Sequence, residues 1–205
     1  DQDDVWFPDK ILTGLNFLEG INEPALYFSN ALLVDEHLHE CNATVYKNKP
    51  CLDFFTLCCA GGLLGCTMIF NPALASLVKE NPLPKYVFMH DFYIAVLCKL
   101  CDGKIFYNTS ATMYYRQHGK NVVGVKKDIV GKVKNKLKLV AKKSKISIAD
   151  QSLSLMPLAS DLEKKKWLQK ISQYRNNFLN RVRLALSLKM NVSLSLRMSI
   201  ILGHR

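Results

Sequence analysis

The sequence predicts an α/β fold followed by a basic helical region, and three observations carry that expectation. The ten-residue run Ala25–Val34 is apolar along almost its whole length, as in a strand buried on both faces. Segments of helical period with start and stop signals stand before and after it. From Val125 the chain turns Lys-rich and keeps a helical pattern to its end.

The elements follow in order. Asp9-Lys10-Ile11-Leu12 opens an apolar-periodic helix that runs to Leu18 and stops near Gly20. Residues 35–50 are polar and read as irregular, and Phe54 to Ala60 as a helix. The Gly61-Gly62 and Gly65 region reads as a loop into a strand, Cys66–Phe70. Asn71-Pro72 starts a helix to about Val78, with Asn as N-cap and Pro at the first helical position. Pro82 and Pro84 hold an extended loop. Phe92–Cys101 is an almost wholly apolar helix, with Gly103 expected as its C-terminal cap. Residues 104–107 and 111–115 read as two short strands. Helices are expected over about 126–145, 159–187 and 192–202, with a linker near 146–158.

Hydrophobic residues make up 49% and charged residues 22% of the 205, which excludes a disordered or collagenous chain. No apolar run reaches the ~18–20 residues of a spanning helix. The chain opens on Asp1-Gln2-Asp3-Asp4-Val5-Trp6 without a leader pattern and reads as starting partway through a domain. Residues 1–124 hold 9 Lys/Arg against 13 Asp/Glu, net −4, and residues 125–205 hold 19 against 4, net +15. A basic segment of that size attracts polyanions, or is simply a solvated helical face. The 7 cysteines are odd in number, and several sit inside apolar runs, which fits buried thiols in a reducing compartment better than a disulfide framework. Cys98 and Cys101 have a metal-binding spacing but no second pair; helix-core thiols are the plainer reading.

Three places hold chemistry-bearing residues. Asp1, Asp3 and Asp4 crowd carboxylates ahead of Trp6; they are either solvated or matched to a hard divalent cation such as magnesium or manganese. His90-Asp91 stands where a proline-held loop enters an apolar helix, so Asp91 is either a plain N-cap or a general base at a cleft edge. Arg116-Gln117-His118 ends a strand: Arg suits a diphosphate, and His is either structural or a metal ligand.

Taken with Gly65-Cys66-Thr67-Met68-Ile69-Phe70-Asn71, Gly103-Lys104-Ile105 and Tyr115 through Gly124, these segments resemble, in collinear order, family 2 glycosyltransferases. The similarity is greatest to the rhamnosyltransferase-like bacterial enzymes that build cell-surface polysaccharides. It covers residues 1–124. It implies a GT-A fold, with a mixed sheet and flanking helices, a nucleotide-sugar donor, a divalent metal (magnesium or manganese) and a saccharide or lipid-linked acceptor. By resemblance, Asp1, Asp3, Asp4, Trp6, Arg116 and Gln117 bind donor, and Asp3 and His118 hold the metal. Asp91, with His90, is the base, and Gly65, Cys66 and Thr67 line the sugar and acceptor pocket. It further implies that 1–124 is the C-terminal half of the catalytic domain, inactive without its preceding strands, and that 125–205 is a basic helical tail. That tail is expected to hold the enzyme at the anionic inner face of the cell membrane, on the cytoplasmic side. Alternatives are a catalytically dead remnant that works through the tail, and a nucleic-acid binder, disfavoured because the tail has few aromatics to stack on bases: Trp167, Tyr174 and Phe178.

Overall fold

The computed structural model describes residues 3–81, 87, 89–117 and 147–203. Asp1, His118 and the helix expected over 126–145 lie outside them. The protein is a mixed α/β fold with an open mixed sheet flanked by helices.

The centre of the sheet is β2 (Ala25–Val34), buried at every position but Leu32. It runs parallel to β5 (Lys104–Arg116) on one side. On its other side lie two antiparallel partners end to end: β4 (Ile69–Phe70) beside Leu26 and Tyr27, and β3 (Glu40–Thr44) beside Leu32 and Val34. The short β1 (Val5–Trp6) pairs antiparallel with the far end of β5. Among the described residues no strand covers the outer edge of β5 from Lys104 to Ser110.

Strand alternation divides the core. Ala25 and Tyr27 face α1 (Lys10–Leu18) and pack with Leu18, Ile69 and Phe106. Leu26 and Phe28 face the other way, into the main core with α2 (Phe54–Ala60) and α4 (His90–Leu100). An apolar run without alternation is therefore the correct signature for β2, because both its faces are covered. Asn71, 6% exposed, caps α3 (Pro72–Glu80) and ties it to the start of β2. Its Oδ1 accepts from Leu74 N at 3.1 Å and Ala25 N at 3.0 Å, and its Nδ2 donates to Ile21 O and Glu23 O at 3.0 and 2.8 Å.

The C-terminal helices complete the main core. They are α5 (Ile148–Leu155), α6 (Leu162–Ser172), α7 (Phe178–Ala185) and α8 (Leu194–Ile201). Ile148, Trp167, Leu168, Ile171, Leu184 and Ile200 join the same cluster as α2 and α4. Trp167 donates from Nε1 to Phe55 O at 3.2 Å and packs edge-on against the Phe55 ring. Lys164 Nζ donates to Lys99 O at 2.8 Å, Leu100 O at 3.2 Å and the Asp102 carboxylate at 2.6 Å, supplying a cation where the α4 dipole is negative. Among the described residues no helix is long and apolar enough to cross a membrane.

The structure departs from the sequence reading in six places. The polar segment 35–50 contains β3, whose residues are exposed or half-buried at the sheet edge and so show no apolar pattern. The two strands expected over 104–115 are one, with a register irregularity where Ser29–Asn30 meets Asn108–Ala111. The strand expected at Cys66–Phe70 is a 3-10 turn (Gly65–Thr67) and the two-residue β4. The linker at 146–158 holds α5, started by a capping box in which Ser147 and Asp150 satisfy one another's backbone N–H groups. The helix expected over 159–187 breaks into α6 and α7. Gly103 is not the cap of α4: Asp102 takes the left-handed turn (φ 57°), and Gly103 is needed because a Cβ there would sit 2.5 Å from Pro24 O and 2.6 Å from Cys98 Sγ.

Candidate functional site

The segments singled out in the sequence meet at the carboxyl ends of the parallel strands β2 and β5, where ligands of open α/β sheets bind. Val34 and Arg116 are register partners there, and Gln117 N donates to Val34 O at 2.8 Å. Arg116 fastens three pieces together. Its backbone N donates to Asp4 Oδ1 at 3.0 Å, its Nε to Asp3 O at 3.0 Å, and its Nη1 to Glu36 O at 2.5 Å. Asp3 is exposed at the mouth and Asp4 half-buried behind it.

Lys10, the first residue of α1, is 1% exposed, and its Nζ donates to Cys66 O at 2.6 Å. The ammonium lies 4.2 Å from the ring centre of Trp6, itself 54% exposed. Burial lowers the Lys10 pKa, opposed by the Cys66 thiol and the Asp4 carboxylate. Burial also pushes the Cys66 thiol up to about 11, reinforced by Asp4. Tyr115 is raised by burial, then by Cys66, Asp4 and Asp3. These shared neighbours place Asp3, Asp4, Lys10, Cys66 and Tyr115 in one electrostatic group.

The 3-10 turn joins this group to α4. A Cβ on Gly65 would lie 2.8 Å from His90 Nε2, 3.2 Å from Asp91 Cβ and 3.4 Å from Asp91 Oδ2. The missing side chain is what lets the start of α4 come this close. Asp91 is 6% exposed and its Oδ1 accepts from Phe92 N at 2.7 Å. It stands in the first turn of α4, not at the N-cap, which is Met89. His90 is exposed beside it. Thr67 is wholly buried, its hydroxyl donating to Leu64 O at 2.7 Å, so its side chain holds the turn.

Tyr46 spans the two halves of the site. Burial raises its pKa; the Leu64 backbone opposes this, and Tyr107, Asp91 and Cys66 add to it. Asn30 on β2 positions it, donating to Tyr46 O at 2.9 Å and accepting from Tyr46 N at 3.0 Å.

Lys10, Tyr46 and Tyr115 were not assigned roles from sequence. Lys10 did carry a signal: a cation in the first turn of a helix opposes the macrodipole and needs a compensating partner. Tyr46 carried none, lying in a polar stretch without period.

Among the described residues no group of three or more His, Cys, Asp or Glu is placed to hold a metal ion. Asp1 and His118 lie outside the described residues. Cys98 is a core thiol, pushed up to about 12 by burial and donating to Lys104 O at 3.4 Å. No family model matches the chain, and neither the curated proteins nor the solved structures hold a match to it.

Proposed function

We propose that this chain carries the metal-assisted chemistry of an inverting glycosyltransferase of GT-A type, moving a sugar from a nucleotide donor to a hydroxyl acceptor. The observation that carries the reading is the convergence at one sheet end of Asp3-Asp4, Gly65-Cys66, His90-Asp91 and Arg116-Gln117, segments spread over more than half the chain.

In this reading Asp91 takes the proton of the acceptor hydroxyl as that oxygen attacks the anomeric carbon. The new C–O bond forms on the face opposite the departing nucleoside diphosphate, which leaves with the electron pair of the broken bond. Arg116 at the mouth and Lys10 beneath it supply positive potential for the charge that develops on the diphosphate.

The donor set suits a hard cation. Asp3 is an exposed carboxylate beside Asp4, and magnesium is commonly held by one or two carboxylates with substrate phosphates completing its shell. Asp3 would hold it, and a bound cation supplies Lewis-acid stabilisation of the leaving group. A lipid-linked acceptor at the inner face of the cell membrane fits the basic second half of the chain.

The test is sugar transfer by the complete gene product. Asp91→Asn should lower turnover by about 10²–10⁴-fold, the usual contribution of general-base catalysis, with nucleotide binding retained. Near-normal turnover of that variant would sink the assignment.

A further inference from the structure

A groove of 380 Å³ lies between α6 and α7, lined by Lys166, Gln169, Lys170, Gln173, Asn180 and Arg183. The lining holds three cations, three amide side chains and no carboxylate. Lys170 is held below its ordinary value by burial; the Cys59 thiol opposes this, and the repulsion of Lys189 and Arg183 adds to it. An anion in the groove would relieve that repulsion, and amide N–H groups beside the cations suit phosphate oxygens.

The surface next to the groove is apolar. Leu179 and Leu186 are seven residues apart, two helical turns, and share the outward side of α7 with Arg183. They are 55% and 66% exposed, and Leu188 just beyond them is 98% exposed. The inward side of the same helix carries Leu184 and Ala185, fully buried in the main core. The helix is thus anchored from behind and shows leucine and arginine together in front.

We propose that the α6–α7 groove and the leucines beside it form a seat for an anionic lipid bilayer, with headgroup phosphates in the groove and Leu179, Leu186 and Leu188 in the acyl boundary. The two observations are independent, and a bilayer answers both: cations meet phosphate while leucines leave water. A nucleic-acid duplex would use the cations and leave the leucines in water. The proposal stands on the helical region alone and does not depend on the glycosyl-transfer reading.

The experiment is co-sedimentation of the full chain with vesicles of phosphatidylcholine, with and without phosphatidylglycerol. Binding should require phosphatidylglycerol and weaken as salt rises. The triple variant Lys166→Gln/Lys170→Gln/Arg183→Gln should lose about 10²-fold in partitioning, at roughly one kcal/mol for each cation near the surface. Leu179→Ser/Leu186→Ser should lose at least about tenfold, because exposed leucines contribute only by entering the bilayer. Both variants alter exposed or half-buried positions, and an unchanged thermal midpoint will show that they fold. As a control, Lys47→Gln/Lys49→Gln/Lys79→Gln removes the same charge at exposed positions outside the helical region and should lose less than the groove triple. The proposal is overturned if the groove triple binds like the native chain, if the control loses as much, or if the leucine pair has no effect. It is equally overturned if duplex DNA, but not vesicles, binds in a groove-dependent way.

Discussion

The backbone N–H of Arg116 donates to Oδ1 of Asp4 at 3.0 Å across a sequence separation of 112 residues. That bond closes the sheet end on which the candidate site stands. It is made to a carboxylate in a half-buried place, where a lost acceptor is costly. Asp4→Ala should reduce unfolding stability by about 1.5–3 kcal/mol, as for hydrogen bonds to charged groups. Asp4→Asn keeps the acceptor oxygen and should lose clearly less. Urea unfolding of the two variants decides, and equal losses would show that the carboxylate charge, not this bond, is what the fold uses.

Gly65→Ala places a methyl 2.8 Å from His90 Nε2 and 3.2 Å from Asp91 Cβ. The exposed His90 ring can swing away, whereas the buried Asp91 must shift by a few tenths of an ångström. Stability should fall by only about 1 kcal/mol, the low end for small-to-large changes. Transfer should fall much further, up to about 10²-fold, because the base moves relative to its substrate. A variant with native turnover would place Asp91 outside the reacting centre.

Cys66 provides a pH test. Its thiol titrates at 9.0 ordinarily and at about 11 in the fold. A folded pKa above the unfolded one favours the fold fully below pH 9.0 and loses that contribution as pH rises to about 11. Alkylation of Cys66 at pH 8 should accordingly run about 10²-fold slower than that of an unperturbed thiol. Peptide mapping after timed iodoacetamide treatment reads this directly, with exposed Cys41 as the internal reference. Equal rates at the two cysteines would refute the half-buried, acid-flanked thiol.

Lys164 joins the helical region to the end of α4, with 15% of its side chain exposed. Lys164→Met keeps the apolar stem and removes the donor to Lys99 O and Leu100 O. A loss of about 1–3 kcal/mol is expected from carbonyls left without that partner. If thermal unfolding shows no change, water replaces the ammonium at no cost and the link is decorative.

What could be read from the sequence was whatever packing writes as a pattern. The apolar run of β2, the Asn71-Pro72 helix start and the buried face of α4 each follow from a side chain meeting the core. Elements held by backbone pairing at the surface left no such mark. Glu40–Thr44 is polar because the edge of a sheet needs no apolar face. Asn108-Thr109-Ser110 reads as a break, yet the strand continues through it because the irregularity in register with β2 accommodates these residues. In α5 the Ser147–Asp150 box was present, but its few apolar residues lay among too many polar ones to show a period. The site divides likewise. Asp3, Asp4, Asp91 and Arg116 stood in recognisable segments. The dependence of Lys10 on the carbonyl of Cys66, 56 residues away, is a fact of tertiary geometry alone.

Asn71 has a consequence in time as well as in space. One buried amide binds the amide hydrogens of Ala25 and Leu74 and the carbonyls of Ile21 and Glu23. None of these can open without disturbing the others through the same side chain. In hydrogen-exchange terms the start of β2 and the first turn of α3 form a single opening unit. Deuterium should therefore reach Ala25 N and Leu74 N with one shared opening free energy. Asn71→Ala removes the acceptor of both amides, so Ala25 N and Leu74 N should exchange early together while the interior of β2 stays protected by its pairing with β5.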